Sequence, residues 1–298
     1  MAIATTVIVT DSASDIPHHL REGLPLVVVP VTLVLDGQIY RDDVDMKAAE
    51  FYSRLAADPN LRYSTSCPSP GEILTAYRET ATVADGIVSV HLGSGLSGTC
   101  AAAHQAMELL WGSPGGGGHS PSPAVEVVDT GTVGMACGFC VLAAARAARA
   151  GASATEAAAE ARRVASRVSM YAVVKTLRGV ACSGRVPSVV GYFVAKIPIC
   201  PVLRIGDNRV RLIRPERTYS RSIARMAAVA SHEVGDTPVD LAVMHAAAVE
   251  EAAALAERMR TVCDCRHVVI SEFTPVMGAH TGLGLLGLAF CPAELGVL

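Results

Sequence analysis

Ile87-Val88-Ser89-Val90-His91-Leu92-Gly93-Ser94-Gly95-Leu96-Ser97-Gly98-Thr99 joins a β-branched run to a turn rich in glycine and serine, and then to a helix-forming stretch. Ile87 to His91 reads as a strand and Leu96 to Leu110 as a helix. The same rhythm recurs on either side. Thr6 to Thr10 reads as a strand ending at Asp11-Ser12, and Leu26 to Leu35 as a second strand. Asp36-Gly37 supplies the turn of a two-residue hairpin into Gln38 to Arg41. Met46 to Ala56 and Pro70 to Thr82 read as helices, and Ala124 to Val128 as a strand running into Asp129-Thr130-Gly131. Strands alternating with helices argue for the α/β class, a parallel sheet covered by helices.

Gly112 to Pro123, rich in Gly, Ser and Pro, reads as a surface loop within this unit. Helix Met135 to Ala150 stops at Gly151, and Ser153 with Glu156 has capping-box spacing for a second helix. That helix pair marks the expected boundary. Beyond it, strands are expected at Met170–Val174, Val202–Ile205, Val210–Ile213, Leu241–His245, Val268–Phe273 and Gly284–Phe290, with helices at Ser220–His232 and Ala248–Val262. Strands joined by short loops as well as by helices suggest an α+β unit with a mixed sheet. The expected organisation is therefore an N-terminal parallel-sheet α/β/α domain over residues 1–160 and a C-terminal α+β domain over 161–298.

Composition narrows the function. The 298 residues are 51% hydrophobic and 18% charged, which allows a large core and excludes disorder. A net charge of −3 and 4% aromatic residues argue against a nucleic-acid partner. The longest aliphatic run, Leu26 to Leu35, is half of the roughly 20 residues a spanning helix needs, so no stable membrane insertion is expected. Met1 to Thr6 lacks the basic start of a signal peptide, and a cytoplasmic protein with reduced cysteines is expected. Cys137-Gly138-Phe139-Cys140 is a single Cys-x-x-Cys, whereas a structural zinc site wants two such pairs. Cys263-Asp264-Cys265 has a different spacing. No metal, disulfide or cofactor is expected.

Three hydroxyl-rich turns could carry chemistry. In the first, Gly93 to Thr99 offers backbone N–H groups and hydroxyls at the positive end of a helix, which suits an anion; a tight turn capped by Ser94 or Ser97 fits equally. Arg62-Tyr63-Ser64-Thr65-Ser66-Cys67-Pro68-Ser69-Pro70 is the second, where Ser69 or Ser66 could cap the next helix. Gly278-Ala279-His280-Thr281-Gly282 is the third. No catalytic motif is complete. Gly95-Leu96-Ser97-Gly98-Thr99 puts Thr where a nucleophile elbow needs Gly, and Thr99-Cys100 stands where a phosphate-binding P-loop needs Lys-Ser/Thr. Arginines outnumber lysines 22 to three (Lys47, Lys175, Lys196), and seven fall within Arg204 to Arg225, with Arg178 and Arg185 shortly before. Guanidinium forks favour phosphates and carboxylates, so this stretch reads either as a solvated face or as a docking surface.

The order of these motifs is more specific than any one of them. Asp11-Ser12-Ala13-Ser14-Asp15, Val29-Pro30-Val31-Thr32, Asp36-Gly37-Gln38-Ile39-Tyr40-Arg41-Asp42, Ser64-Thr65-Ser66, the Ser94 to Thr99 block, Ser183-Gly184-Arg185 and His280-Thr281-Gly282 form a series over nearly the whole chain. It resembles the DegV family of fatty-acid-binding proteins. The resemblance implies the two-domain EDD fold with a long-chain fatty acid in a tunnel between the domains. It implies a carboxylate held by Thr65, Ser94 and His280, with Ser66, Ser97 and Thr281 alongside. The chain would be a carrier rather than a catalyst, presenting the acid to a fatty acid kinase subunit, with Arg185, Arg214 and Arg217 on the docking side. Where the family commonly has Gly-Gly-Arg and Ile-Lys-Pro-Ile, this chain has Ser183-Gly184-Arg185 and Ile199-Cys200-Pro201-Val202. The alternative reading is an enzyme acting on a small carboxylate or phosphorylated metabolite at the same loops.

Overall fold

Pro30 divides the aliphatic run Leu26 to Leu35 into two strands that belong to different sheets. The computed structural model describes residues 5–58, 60–112, 123–175 and 199–298. In it β1 (Thr6–Asp11) pairs in parallel with β2 (Leu26–Val29), while β3 (Thr32–Leu35) turns away to pair with β4 (Gln38–Arg41). Pro30 has no N–H to offer a ladder, so one continuous strand gives way to a corner. Asp36 and Gly37 both have positive φ, 49° and 84°, as the expected two-residue hairpin requires.

Tyr63–Ser66, expected as a turn, is strand β5. It pairs antiparallel with β3, Thr65 opposite Leu33, and completes a three-stranded sheet of order β4-β3-β5. Two further strands, β6 (Gly86–His91) and β7 (Ala124–Asp129), finish the parallel sheet in the order β2-β1-β6-β7. The remaining strands are β8 (Ser169–Val173), β9 (Cys200–Gly206), β10 (Arg209–Glu216), β11 (Val239–His245), β12 (Cys265–Glu272) and β13 (Leu286–Pro292). They form a six-stranded mixed sheet of order β10-β9-β8-β13-β11-β12, in which only the β11–β12 pair is parallel. The expected α/β fold with a parallel sheet and a mixed sheet is the observed one.

Helices fill the layers between and outside the sheets. After α1 (His18–Arg21) and α2 (Ala48–Ala57) come α3 (Pro70–Thr80) and α4 (Thr99–Trp111), which pack their apolar faces on the parallel sheet. Ser69 and Glu72 close a capping box at the start of α3, as Ser153 and Glu156 do for α6 (Ala154–Ala165). Helix α5 (Gly134–Arg149) is almost wholly buried, touching β1 and β6 of one sheet and β11 and β13 of the other. Its small residues, Cys137 and Cys140 among them, let both sheets approach. Outside the mixed sheet lie α7 (Tyr219–Val234) and α8 (Val249–Val262), and α9 (Pro275–Thr281) precedes β13.

Alternation along β8 shows how one strand serves two cores. Met170 and Ala172 join the central core between the sheets, while Tyr171 and Val173 join the core under α7 and α8. The Gly112 to Pro123 loop, apart from its ends, and Ser183-Gly184-Arg185 lie outside the described residues, as do Arg178 and Lys196.

Candidate functional site

Thr65 on β5 and His280 on α9 are 215 residues apart in sequence, yet Thr65 Oγ1 and His280 Nε2 lie 2.7 Å apart. The sheet register delivers one and a short helix the other. Residues 278–281, expected as a turn, form the last turn of α9, whose first position is Pro275. One helical turn places His280 and Thr281 side by side on the same wall.

That wall belongs to a cavity between the two sheets. Ala13, Val31 and Leu92 line it from the N-terminal side, and Met170, Leu203 and Leu285 from the mixed sheet. The polar positions on its lining are Thr65, Ser97, His280 and Thr281, with Cys67 beside them. It measures about 130 Å³ in the space open to the centre of a water-sized sphere, where one water needs only about 10–15 Å³. An aliphatic lining with a few hydroxyls and one imidazole at one place suits an amphipathic ligand with a small acidic or polar head.

At the Gly93-Ser94-Gly95 turn, which its composition suited equally to an anion and to a tight turn, the partner is another segment of the chain. The tip of the β9–β10 hairpin, Asp207-Asn208, reaches across from the mixed sheet and sits on it. Gly95 donates its N–H to Asn208 Oδ1 at 3.2 Å, and Asn208 donates its own N–H to Gly131 O at 3.0 Å. Asp129 ties the contact together, accepting from Ser94 N at 3.2 Å, from Gly131 N at 2.9 Å and from Asn208 Nδ2 at 3.0 Å. The amides of Ser94 and Gly95 thus have protein acceptors. A Cβ on Gly95 would stand 2.1 Å from Asn208 O, and one on Gly93 2.5 Å from Asn208 Oδ1, so close approach of a second backbone explains both glycines.

The other sequence candidates fall as follows. Ser97 lines the cavity and shares a 2.9 Å hydrogen bond with Thr99 Oγ1. Thr281 lines it too, donating its hydroxyl to Met277 O at 2.8 Å. Ser94 and Ser66 are exposed and are not on the lining. Arg214 and Arg217 are exposed at and just beyond the end of the edge strand β10, whereas Arg204, Arg211 and Arg225 pair with Glu233, Asp207 and Glu216. Arg185 lies outside the described residues. Among the described residues, no three His, Cys, Asp or Glu side chains gather as a metal site would require, and the cysteines are free thiols.

Sequence reading missed a second constellation. Ser89 Oγ lies 2.7 Å from His91 Nε2, and His91 Nδ1 lies 2.7 Å from Asp11 Oδ2, the connectivity of a hydrolase triad. All three residues are fully enclosed at 0% exposure, and none lines the cavity. A nucleophile must reach its substrate, so here the chain of hydrogen bonds ties β1 to β6. The alternation Ser89-Val90-His91 put both side chains on one face, but only sheet pairing brought Asp11 to them.

The fold and cavity together define a class, α/β proteins in which a parallel and a mixed sheet flank an apolar chamber beside a hydroxyl–imidazole pair. A family model described as "uncharacterised protein, DegV family" matches residues 5–293. A DegV domain-containing protein of Streptomyces coelicolor is 37% identical over 283 residues, covering 94% of this chain and 96% of the relative. One from Mycobacterium tuberculosis is 34% identical over 290 residues, covering 95% and 96%. Among solved structures, a fatty-acid-binding DegV family protein from Thermus thermophilus superposes with a TM-score of 0.84 at 26% identity, covering 97% of this chain and 99% of its own. DegV of Bacillus subtilis, described as a fatty acid binding protein, superposes with a TM-score of 0.83 at 26% identity and the same coverage. The chain belongs to the DegV family.

Proposed function

We propose that this protein binds one long-chain fatty acid, its acyl tail in the cavity between the sheets and its carboxylate against Thr65 and His280. The observation that carries this reading is the Thr65–His280 pair at 2.7 Å on the wall of a mainly apolar cavity. Burying the tail contributes about 0.8 kcal/mol per CH₂, so a chain of about 16 carbons outweighs desolvation of a hydrogen-bonded head group. Ser97 and Thr281 add hydroxyls beside the pair. Ser94 and Ser66, both exposed, would meet the head group at entry. Fatty acid binding by the Thermus and Bacillus relatives supports the reading.

On this reading the parallel and mixed sheets belong to two lobes, and the boundary expected at residues 160 and 161 falls within α6 (Ala154–Ala165). The protein is a cytoplasmic carrier that presents its acid to a separate kinase subunit, and the exposed Arg214 and Arg217 help to dock that partner. Denaturing extraction of the purified protein followed by mass spectrometry tests it. One fatty acid per chain is the expected result. An intact small metabolite in its place would favour an enzyme of carboxylates or phosphorylated compounds.

A further inference from the structure

The first turn of α9 is held by two buried carboxylates from distant parts of the chain. Asp15 Oδ1 accepts the main-chain N–H of Thr274 at 2.8 Å, and Asp42 Oδ1 accepts that of Val276 at 3.1 Å. Exposure of the two residues is 4% and 0%. Helix α2 adds a third hold, the Tyr52 hydroxyl donating to Phe273 O at 2.8 Å. The Tyr52 ring packs so tightly on the helix that a Cβ on Gly278 would lie 2.2 Å from its Cε1. The helix is therefore gripped at its start and along its side, and its last turn carries His280.

Buried carboxylates are a costly way to satisfy two amides. Burial pushes Asp42 up to about 6 against the opposing pull of the Val276 amide, with Asp43 adding repulsion. Burial raises Asp15 well above the usual carboxylate range, and Asp42 and Asp11 raise it further. Tyr52 and Glu272 also face this cluster, and His18, His19, Arg21, Asp43 and Lys47 line the same pocket as Asp15 and Asp42. The nearby cations Arg21 and Lys47 pair with Asp43 instead. An acidic cluster that opposes its own ionisation stands at the foot of the helix that bears the head-group histidine.

We propose that Asp15 and Asp42 are positioning residues of the fatty-acid site: through the Thr274 and Val276 amides they set α9 so that His280 meets Thr65, and retention of the acid depends on both. This rests on the fatty-acid reading. An ionised carboxylate holds an N–H roughly twice as strongly as a neutral acceptor does, so the grip of Asp42 weakens as pH falls through about 6.

The test is the dissociation of radiolabelled palmitate from the full chain and from its Asp42→Ala and Asp42→Asn variants. At neutral pH, Asp42→Ala should release palmitate at least about tenfold faster than wild type. Asp42→Asn keeps an acceptor without the charge, and should release it about threefold faster. The difference between Asp42→Asn and wild type should shrink as pH falls through about 6, because wild-type Asp42 then takes up its proton. A ratio that stays flat across pH overturns the proposal, as does a folded Asp42→Ala variant with wild-type release. If Asp42→Ala does not fold, the Asp42→Asn ratio alone decides. Wild-type protein that takes up no palmitate overturns the fatty-acid reading and this proposal together, whereas uptake with unchanged variants overturns the proposal alone.

Discussion

Asn208 occupies the space that any side chain on Gly95 would need: its main-chain oxygen lies 2.1 Å from the Cβ position, and its Oδ1 takes the Gly95 N–H at 3.2 Å. This contact joins the β9–β10 hairpin to the parallel sheet, and Leu203, Ile205 and Val210 of that hairpin line the cavity. Gly95→Ala must push the hairpin away. The expected cost is about 1–3 kcal/mol of folding stability, the usual penalty for overpacking, read from urea unfolding, with faster lipid release as the wall moves. An alanine variant as stable as wild type would mean the hairpin shifts freely.

Thr65→Val removes the hydroxyl opposite His280 while conserving shape. Lipid affinity should fall by about 1–3 kcal/mol, the cost of a hydrogen bond to a buried charged group, measured by equilibrium competition. Unchanged affinity would put the head group elsewhere.

The two loop serines should separate in the same assay. Ser97 lines the cavity and Ser94 is exposed. Ser97→Ala should weaken retention by about 1 kcal/mol or more, and Ser94→Ala by less. The reverse order would show that the loop turns when it is loaded.

Asp42 also makes stability depend on pH. Its folded value of about 6 lies above the roughly 3.9 of an unfolded aspartate. The native state then holds the proton more tightly, so the stabilising neutral form is fully present below about pH 4 and lost as pH rises through 6. Between those limits wild type should lose on the order of 3 kcal/mol relative to Asp42→Asn, which mimics the neutral acid. Urea midpoints of both proteins across that window measure it. Parallel curves would show that Asp42 is ionised throughout.

On the proposed carrier reading, replacing Arg214 and Arg217 with Glu should slow partner-dependent phosphorylation while bound lipid stays in place. Both side chains are exposed, and surface charge acts mainly on encounter rate, screened over about 8 Å at physiological salt. The effect should therefore be largest at low salt. Equal rates there would reduce the cluster to a solvated face.

Local chemistry was enough for much of this molecule. The Asp36-Gly37 turn, the capping box at Ser153, the strands ending at Asp11 and His91 and the α/β class are all legible from neighbours within a few residues, because turn dihedrals, caps and side-chain periodicity are short-range effects. What defeated local reading depended on partners far away. Leu26 to Leu35 looked like one strand until Pro30 sent its halves into two sheets. Tyr63–Ser66 and the last turn of Pro275–Thr281 lay in stretches that looked like turns. The first is a strand because β3 supplies its ladder, and the second a helix whose first amides are taken by Asp15 and Asp42. The glycines of the Ser94 loop suited an anion and a tight turn equally, and the neighbour that crowds them is Asn208, more than 100 residues on. Composition names the hydroxyls and the imidazole that could hold a head group. Which of them face the same cavity is set by sheet register and helix placement, and those are fixed by burial of apolar surface between layers, a property of the whole chain and of no segment in it.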